Sequence, residues 1–322
     1  MWAYIIRRTI LTVPTVLGIV LITMVLFSGV AADPARTWAG KFANESTIKA
    51  ARVRMGIDKP KWFNFSALRD GKVKEAFNTQ LFDVVLFRFP NSMRYEESLW
   101  SIVKRKAPAS MLIQVPAFII IVGLELSFAL LAAARRARMT DYVITLVSVL
   151  LMSVPVLSVY IYAQWMLGQK LGVFPVAGWD KGIYALHFAA LPILITVLIG
   201  VGAGIRLYRA VMLEEVYSDY VRTARAKGVS DREVFFTHVL RNAMIPVITQ
   251  TVTALPGLIL GALLLERIFQ IPGLGNVLVE ALSNNDRPVV MGLVYILSII
   301  YCVLLLLSDI LYTVVNPQVS LK

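Results

Sequence analysis

Few residues of this sequence are arranged in a way that could support catalysis. Two Gly-Lys pairs, at 40–41 and 71–72, could end a phosphate-binding loop, but Phe42 and Val73 follow them. Such a loop requires a Ser or Thr there, whose hydroxyl ligates Mg²⁺. The sequence also contains no HExxH, GxSxG or CxxC pattern. We therefore predict no catalytic residue and no cofactor in this chain, which cannot hydrolyse ATP by itself.

Residues that ligate metals are equally sparse. Cys302 is the one cysteine and lies in an apolar run, so neither an intrachain disulfide nor a cysteine metal cluster can form. His187 and His238 are far apart in the sequence and have no neighbouring ligand pattern. We interpret both as structural or loop residues and predict no metal site.

Glu125 is the most costly residue within an apolar run. A carboxylate in the middle of a bilayer costs a few kcal/mol, roughly the 2.5–3.5 quoted for Asp. Two interpretations stay open: Glu125 lines a solute path or the bundle interior, or it pairs with Arg135 or Arg136 near the inner interface. Gln250 is the other intramembrane polar candidate.

The composition is that of an integral membrane protein. Hydrophobic residues make up 58% of the 322 residues and charged residues 16%, which is too apolar for an ordinary soluble domain. The net charge of +12 could indicate nucleic-acid binding. The basic residues, however, flank apolar runs or lie in loops and form no stripe interleaved with aromatic residues. We expect a lipid bilayer as partner, and no nucleic acid.

Six apolar runs are long enough to cross a membrane. A hydrocarbon core of ~30 Å requires about 20 helical residues. The first run is longer than the core of a signal peptide and is interpreted as a retained span. The sequence thus predicts an all-α integral membrane protein, a single transmembrane domain over residues 1–322. Its transmembrane helices are predicted at residues 10–31, 109–134, 142–167, 186–207, 243–265 and 289–315.

The distribution of basic residues predicts the orientation. Basic residues precede the first run, fill the loop between the second and third, and follow the fourth. Because such residues remain on the cytoplasmic side, both termini are predicted to be cytoplasmic and residues 33–108 to form a large external loop. Lys104, Arg105 and Lys106 oppose this assignment, but the rule weakens for loops longer than about 60 residues.

Residues 210–242 are predicted to form a cytoplasmic helical hairpin. In its first half, apolar residues from Val216 to Ala224 recur at helical spacing, which indicates an amphipathic helix. Gly228 follows a basic last turn and is predicted to end that helix. Ser230 and Glu233 have the spacing of a capping box, so Ser230 is predicted to open a second helix. That helix is expected to run to about Met244, with a kink at Pro246.

Two motifs identify a family resemblance. RTARAKG at 222–228 and LRNAMIP at 240–246 resemble the cytoplasmic loop of permease subunits of bacterial ABC importers, in the branch that handles oligopeptides, dipeptides and nickel. The sequence ERIFQIPGLG at 266–275 resembles a second motif of the same branch. The likeness extends from Ile5 to Val319 and is weakest between about Phe65 and Tyr95.

The resemblance implies the fold of a type I ABC importer permease in the bacterial inner (cytoplasmic) membrane. The implied partners are a second homologous permease, two ATPase subunits that hold ATP and Mg²⁺, and an external solute-binding protein. It leaves the substrate open among peptides, glutathione, nickel chelates, peptide antibiotics and oligosaccharides. The residues implied to couple to the ATPases are Tyr220, Arg222, Thr223, Ala224, Arg225, Ala226, Lys227, Gly228 and Ser230. Those implied in an outer gate or a binding-protein contact are Glu266, Phe269, Pro272, Gly273, Gly275 and Asp286.

An alternative of a different class is a secondary transporter or channel that works without ATPases. It predicts functional acidic or His residues along the spans, whereas only Glu125 lies deep within one. A membrane enzyme is a third possibility, for which the sequence has no recognisable catalytic constellation.

Overall fold

The computed structural model describes residues 2–29, 33–40, 42–255 and 263–315. Every regular element within these ranges is a helix. Two segments, Gln164–Lys170 and Val234–Val239, are π-helical. The α-helices are α1 Trp2–Gly29, α2 Pro34–Ala39, α3 Glu45–Arg54, α4 Phe65–Arg69, α5 Val73–Phe77, α6 Gln80–Val85, α7 Leu99–Ala134, α8 Met139–Ser153, α9 Val156–Ala163, α10 Tyr184–Val216, α11 Asp219–Ala226, α12 Asp231–Glu233, α13 Leu240–Ala254, α14 Leu263–Ile268, α15 Leu274–Ser283 and α16 Arg287–Val315.

Four of the described helices are long and apolar enough to cross a membrane, and a bent pair of helices raises the number to five. This agrees with an all-α membrane protein, while the count of six spans remains a prediction. The predicted span 243–265 is described only up to residue 255 and again from residue 263. Residues 256–262, with Pro256, lie outside the described residues. The four long spans are Thr9–Leu26, Leu99–Ala134, Tyr184–Val216 and Arg287–Leu311.

The segment predicted as a transmembrane helix at 142–167 is not one continuous helix in the structure. The structure divides this segment at Val154 and Pro155, and the two halves are bent by 92°. Proline has no backbone N–H to continue the helical ladder, and it disfavours helical geometry in the residue before it. Val154 is accordingly extended, with φ −85° and ψ 130°. The second half continues from α9 into the π-helical segment Gln164–Lys170.

Contacts divide the chain into two compact units. The first comprises residues Met1–Ser110 and Pro272–Leu306, and the second comprises Met111–Ile271 and Leu307–Lys322. The core of the first unit joins the start of α7 to α15 and α16. Its buried residues are Leu99, Ile102, Val277, Ala281, Val289, Val290, Leu293 and Ile296.

The predicted external loop lies in the first unit and is largely helical. Helix α3 begins after Asn44, which caps it by accepting a hydrogen bond from the backbone N–H of Thr47 at 3.0 Å. Residues 99–106, at the end of the predicted loop, form the first turns of the continuous helix α7. Its Pro108 lies within the helix and does not end it.

In the second unit, α10 packs against α8 and α13. Small residues make close packing possible, since a Cβ on Gly202 would lie 2.7 Å from the backbone oxygen of Ser148. The buried residues of its core are Ala129, Ala133, Tyr208, Met212, Ala243 and Val247.

Candidate functional site

The predicted hairpin begins with a break that the sequence did not indicate. Helix α10 continues to Val216, and α11 starts only at Asp219. The prediction of a single amphipathic helix through residues 216–224 is therefore wrong. Ser218 causes the break: its backbone is extended, and its hydroxyl donates to the carbonyl oxygen of Glu215 at 2.6 Å. That bond satisfies one of the carbonyl groups left free at the end of a helix.

Helix α11 has one buried face and one exposed face. Val221 and Ala224 are buried and pack against Val234 and Val239, so they hold the hairpin together. Ala224 was expected to pack in a cleft of an ATPase, and in this structure it contacts the hairpin's own core. The other predicted coupling residues are exposed, namely Tyr220, Arg222, Thr223, Arg225, Ala226, Lys227, Gly228 and Ser230.

Gly228 lies at the tip of the hairpin, in a conformation that L-residues rarely adopt. Its φ is +80°, and its N–H donates to the carbonyl oxygen of Arg225 at 2.9 Å. A Cβ at this position would meet no atom within 4 Å. Ser230 then opens α12, because its Oγ accepts from the N–H of Glu233 at 3.3 Å. The tip is therefore a tight turn with free space beside it.

Polar contacts stabilise the exposed side of the hairpin. Arg225 Nε lies 3.3 Å from the carboxylate of Asp231, across the turn. The hydroxyl of Tyr220 donates to the carboxylate of Glu215. Burial, together with this bond, raises the pKa of Tyr220 above its usual value. Beside the turn is an open depression of about 400 Å³ lined by Ser230, Arg232, Glu233 and Phe236.

A partly buried ion pair joins the start of α8 to the last turns of α10. Arg209 donates to both oxygens of Asp141, at 2.5 and 2.8 Å. Asp141 also accepts from the N–H of Ala137, which has φ +57°. The guanidinium of Arg136 lies 4.5 Å from the ring centroid of Tyr217, where α10 ends. Sequence reasoning used Arg209 only for orientation and missed this pair, although an Asp at a helix start is a recognisable signal.

Glu125 faces α10 and not the basic residues that follow α7. Its carboxylate lies directly against Gly204, where a Cβ would overlap it. The residue is 8% exposed. Among the described residues no cation pairs with it, so the predicted pair with Arg135 or Arg136 is absent from that part of the chain. Gln250, in contrast, is exposed on α13.

The predicted outer residues are distributed over the two units. Glu266 and Phe269 belong to the second unit and are 0% and 2% exposed. The carbonyl oxygen of Phe269 accepts from the N–H of Gly178 at 2.9 Å. Because both side chains are buried, neither is available to a binding protein in this conformation. A role of Glu266 and Phe269 in an outer gate remains a prediction.

In the first unit, Asp286 holds the segment at Ser92 and Arg94 onto the start of α16. It is 2% exposed and accepts from the hydroxyl of Ser92 at 2.6 Å and from the N–H of Arg94 at 3.2 Å. Nearby, Tyr95 donates to Glu280 at 2.6 Å. Burial and this carboxylate raise the pKa of Tyr95 to about 12. Asp286 thus has a structural contact, whereas Pro272 and Gly275 are partly exposed and Gly273 is buried.

Comparisons with known proteins cover nearly the whole chain. Residues 125–321 match the family described as binding-protein-dependent transport system inner membrane component, and residues 1–114 match the N-terminal model of such components.

Individual relatives match over their full length. A putative peptide transport system permease protein of Brucella suis is 31% identical over 99% of both chains. The dipeptide transport system permease protein of Bacillus subtilis is 31% identical over 99% of this chain and 98% of its own. The dipeptide transport system permease protein of Escherichia coli is 30% identical over 100% of both chains.

Proposed function

The chain belongs to the family of inner membrane components of binding-protein-dependent transport systems, and from this we propose that it is the permease subunit of an ATP-driven importer of peptides or similar small solutes. The relatives named above are peptide or dipeptide permeases, and the match extends from end to end. A transport subunit, and not an enzyme, is the assignment consistent with them. With a second, related permease it forms the solute path.

The hairpin is the observation that supports ATP-driven coupling. An exposed polar face on α11, a buried face within the hairpin and a tight turn at Gly228 together form a small rigid body. Such a body can transmit motion as a lever when a partner binds it. We propose that two ATPase subunits, which hold ATP and Mg²⁺, bind this exposed face at residues 210–242. Substrate arrives from an external solute-binding protein at the outer segments.

The topology follows from the same assignment. With the hairpin on the ATPase side, the basic residues near α10 and the termini lie in the cytoplasm and residues 33–108 outside. The bundle opens outward when the ATPases close, and it opens inward when the ATPases open.

Co-purification tests the proposed function. We would express the chain from its native locus with a tag after Lys322, purify it in a mild detergent and identify its partners by mass spectrometry. Recovery of ATPase subunits and a second permease is expected. Recovery of the chain alone, stable and monodisperse, would contradict the proposal and favour an ATP-independent transporter or channel, with Glu125 as the first residue to substitute.

A further inference from the structure

Arg287, at the start of α16, is a buried cation that has no acidic partner among the residues that the structure describes. It is 6% exposed, and no described carboxylate forms an ion pair with it. Its Nη2 donates to Oε1 of Gln80 at 3.1 Å, and its Nε lies 3.4 Å from the sulfur of Met291. A guanidinium has five N–H donors, so most of its capacity is unused. A buried charge with so few hydrogen-bond partners is unfavourable unless a bound ligand supplies the missing acceptors.

The guanidinium lines a small cavity in the first unit. The cavity has a volume of about 40 Å³, and its polar lining residues are Gln80, Asp83, Arg88 and Arg287. One water molecule requires about 10–15 Å³. The cavity therefore admits a group of about three heavy atoms, which is the size of a carboxylate.

The charges around the cavity favour an anion. Arg88 and Arg287 are positive, and Asp83 is the one acidic residue of the lining. Lys59 neutralises Asp83, since its Nζ lies 2.5 Å from the carboxylate. The carboxylate of Asp33, which also acts on Arg287 electrostatically, is paired with Arg52. The charged residues that line the cavity thus carry a net positive charge.

Gln80 holds the guanidinium in place. Its Nε2 donates to the carbonyl oxygens of Lys59 at 2.7 Å and Ile57 at 3.3 Å. The amide can make these two bonds only with its oxygen turned towards Arg287. Gln80 is itself 6% exposed, so the arrangement is built before any ligand arrives. Pre-organisation of this kind lowers the cost of binding.

We propose that this cavity binds the carboxylate of a small organic solute, with Arg287 as the recognising residue and Gln80 as the residue that positions it. A carboxylate matches the planar fork of a guanidinium and can accept two of its N–H groups. Because the guanidinium is almost covered, a slim chain terminus fits better than the side chain of a docking protein. The inference rests on the proposed function for the nature of the solute, which is then a peptide with a free C-terminus.

Binding measurements on the purified full-length chain test this site. Dialanine and dialanine amide have the same shape, and only dialanine has a carboxylate. Calorimetric titration with each of them therefore isolates the contribution of the carboxylate to the affinity. We expect dialanine to bind about tenfold more tightly than the amide, as a charge-assisted bidentate contact implies. Sodium acetate should compete with dialanine, whereas sodium chloride at the same ionic strength should not. This competition needs no variant and so is independent of folding.

Variants then assign the contact. Arg287→Gln should abolish the preference for dialanine, and Arg287→Lys should keep part of it, because the charge remains and the fork is lost. Arg69→Gln is the matched control, since Arg69 is an exposed arginine of the same unit. Equal binding of the two probes by the wild type, or an unchanged preference in Arg287→Gln, would overturn the proposal.

A third outcome would also overturn it. If neither probe binds while Arg287→Gln weakens association with the solute-binding protein, the guanidinium recognises that protein and not a solute.

The site and the proposed function can fail separately. Absence of ATPases in the purification refutes the importer, whereas loss of the carboxylate preference refutes only the cavity.

Discussion

At the scale of single residues, the clearest finding is that glycines set where polar groups can lie in the bundle. Glu125 was recognisable from the sequence as an expensive residue in an apolar run, but the sequence left open whether it lines a solute path or the bundle interior, or pairs with Arg135 or Arg136. The structure has its carboxylate against Gly204 of α10. A backbone without a Cβ allows so close an approach, whereas a side chain at this position would overlap the carboxylate.

Gly204→Ala should therefore destabilise the protein by about 1–3 kcal/mol, because the added methyl overlaps the Glu125 carboxylate and forces it to move. Gly123→Ala is the matched control, since a Cβ there meets no atom within 4 Å. Thermal unfolding in detergent measures both. The double variant Gly204→Ala with Glu125→Ala should regain part of the lost stability. Equal midpoints for the two glycine variants would contradict this account.

At the scale of elements, the C-terminal end of α10 connects the bundle to the hairpin. The pair of Asp141 and Arg209 joins α8 to α10, and Arg136 lies over Tyr217 where α10 ends. Ser218 then starts the turn into α11. Together these contacts place the hairpin on the end of a long helix.

Arg209→Met should cost about 3–5 kcal/mol, because it leaves the Asp141 carboxylate buried without its partner. The side chain of Asp141 is only 4% exposed. Arg222→Met serves as control, since the pair of Arg222 with Asp219 is 73% and 97% exposed and is expected to contribute at most about 1 kcal/mol. The midpoint of unfolding reports the difference. A similar loss of stability in both variants would show that burial of Asp141 does not increase the cost of removing its partner.

Gly228→Asp should abolish coupling and leave the chain in the membrane. Any side chain at φ +80° is strained, and an added carboxylate would occupy the free space at the hairpin tip and repel or obstruct a bound ATPase. Gly71→Asp is a matched control, since Gly71 has φ +74° and is also without neighbours within 4 Å. The readout is substrate-stimulated ATPase activity of the assembled complex. Unchanged activity in Gly228→Asp would exclude the hairpin as the lever.

At the scale of the whole molecule, much of the apolar surface is not covered by the chain itself. Ile10 and Ile22 on α1 are both 62% exposed, and Leu146 on α8 is 60% exposed. In water such surfaces would be unfavourable, so lipid or another apolar chain must cover them. This requirement agrees with membership of a family of inner membrane components.

Cysteine labelling tests the proposed orientation. Ser66→Cys is expected to react with an impermeant maleimide in intact cells after the outer membrane is made permeable, because residues 33–108 are proposed to be external. Ser230→Cys should react only after the inner membrane is opened. The background is expected to be low, since Cys302, the single native cysteine, is 5% exposed. Labelling of both positions from the same side would refute the topology.

The sequence by itself determined the class of protein, the approximate positions of the long apolar helices and the hairpin turn at Gly228, because these depend on hydrophobic length, charge near helix ends and local turn chemistry. It also identified the family through two motifs. Only the tertiary structure decided the break at Pro155 as a 92° bend, the contact of Glu125 with Gly204, the pair of Asp141 with Arg209 and the cavity at Arg287. The last three of these join residues that are distant along the chain, and periodicity in one segment contains no information about which other segment packs against it.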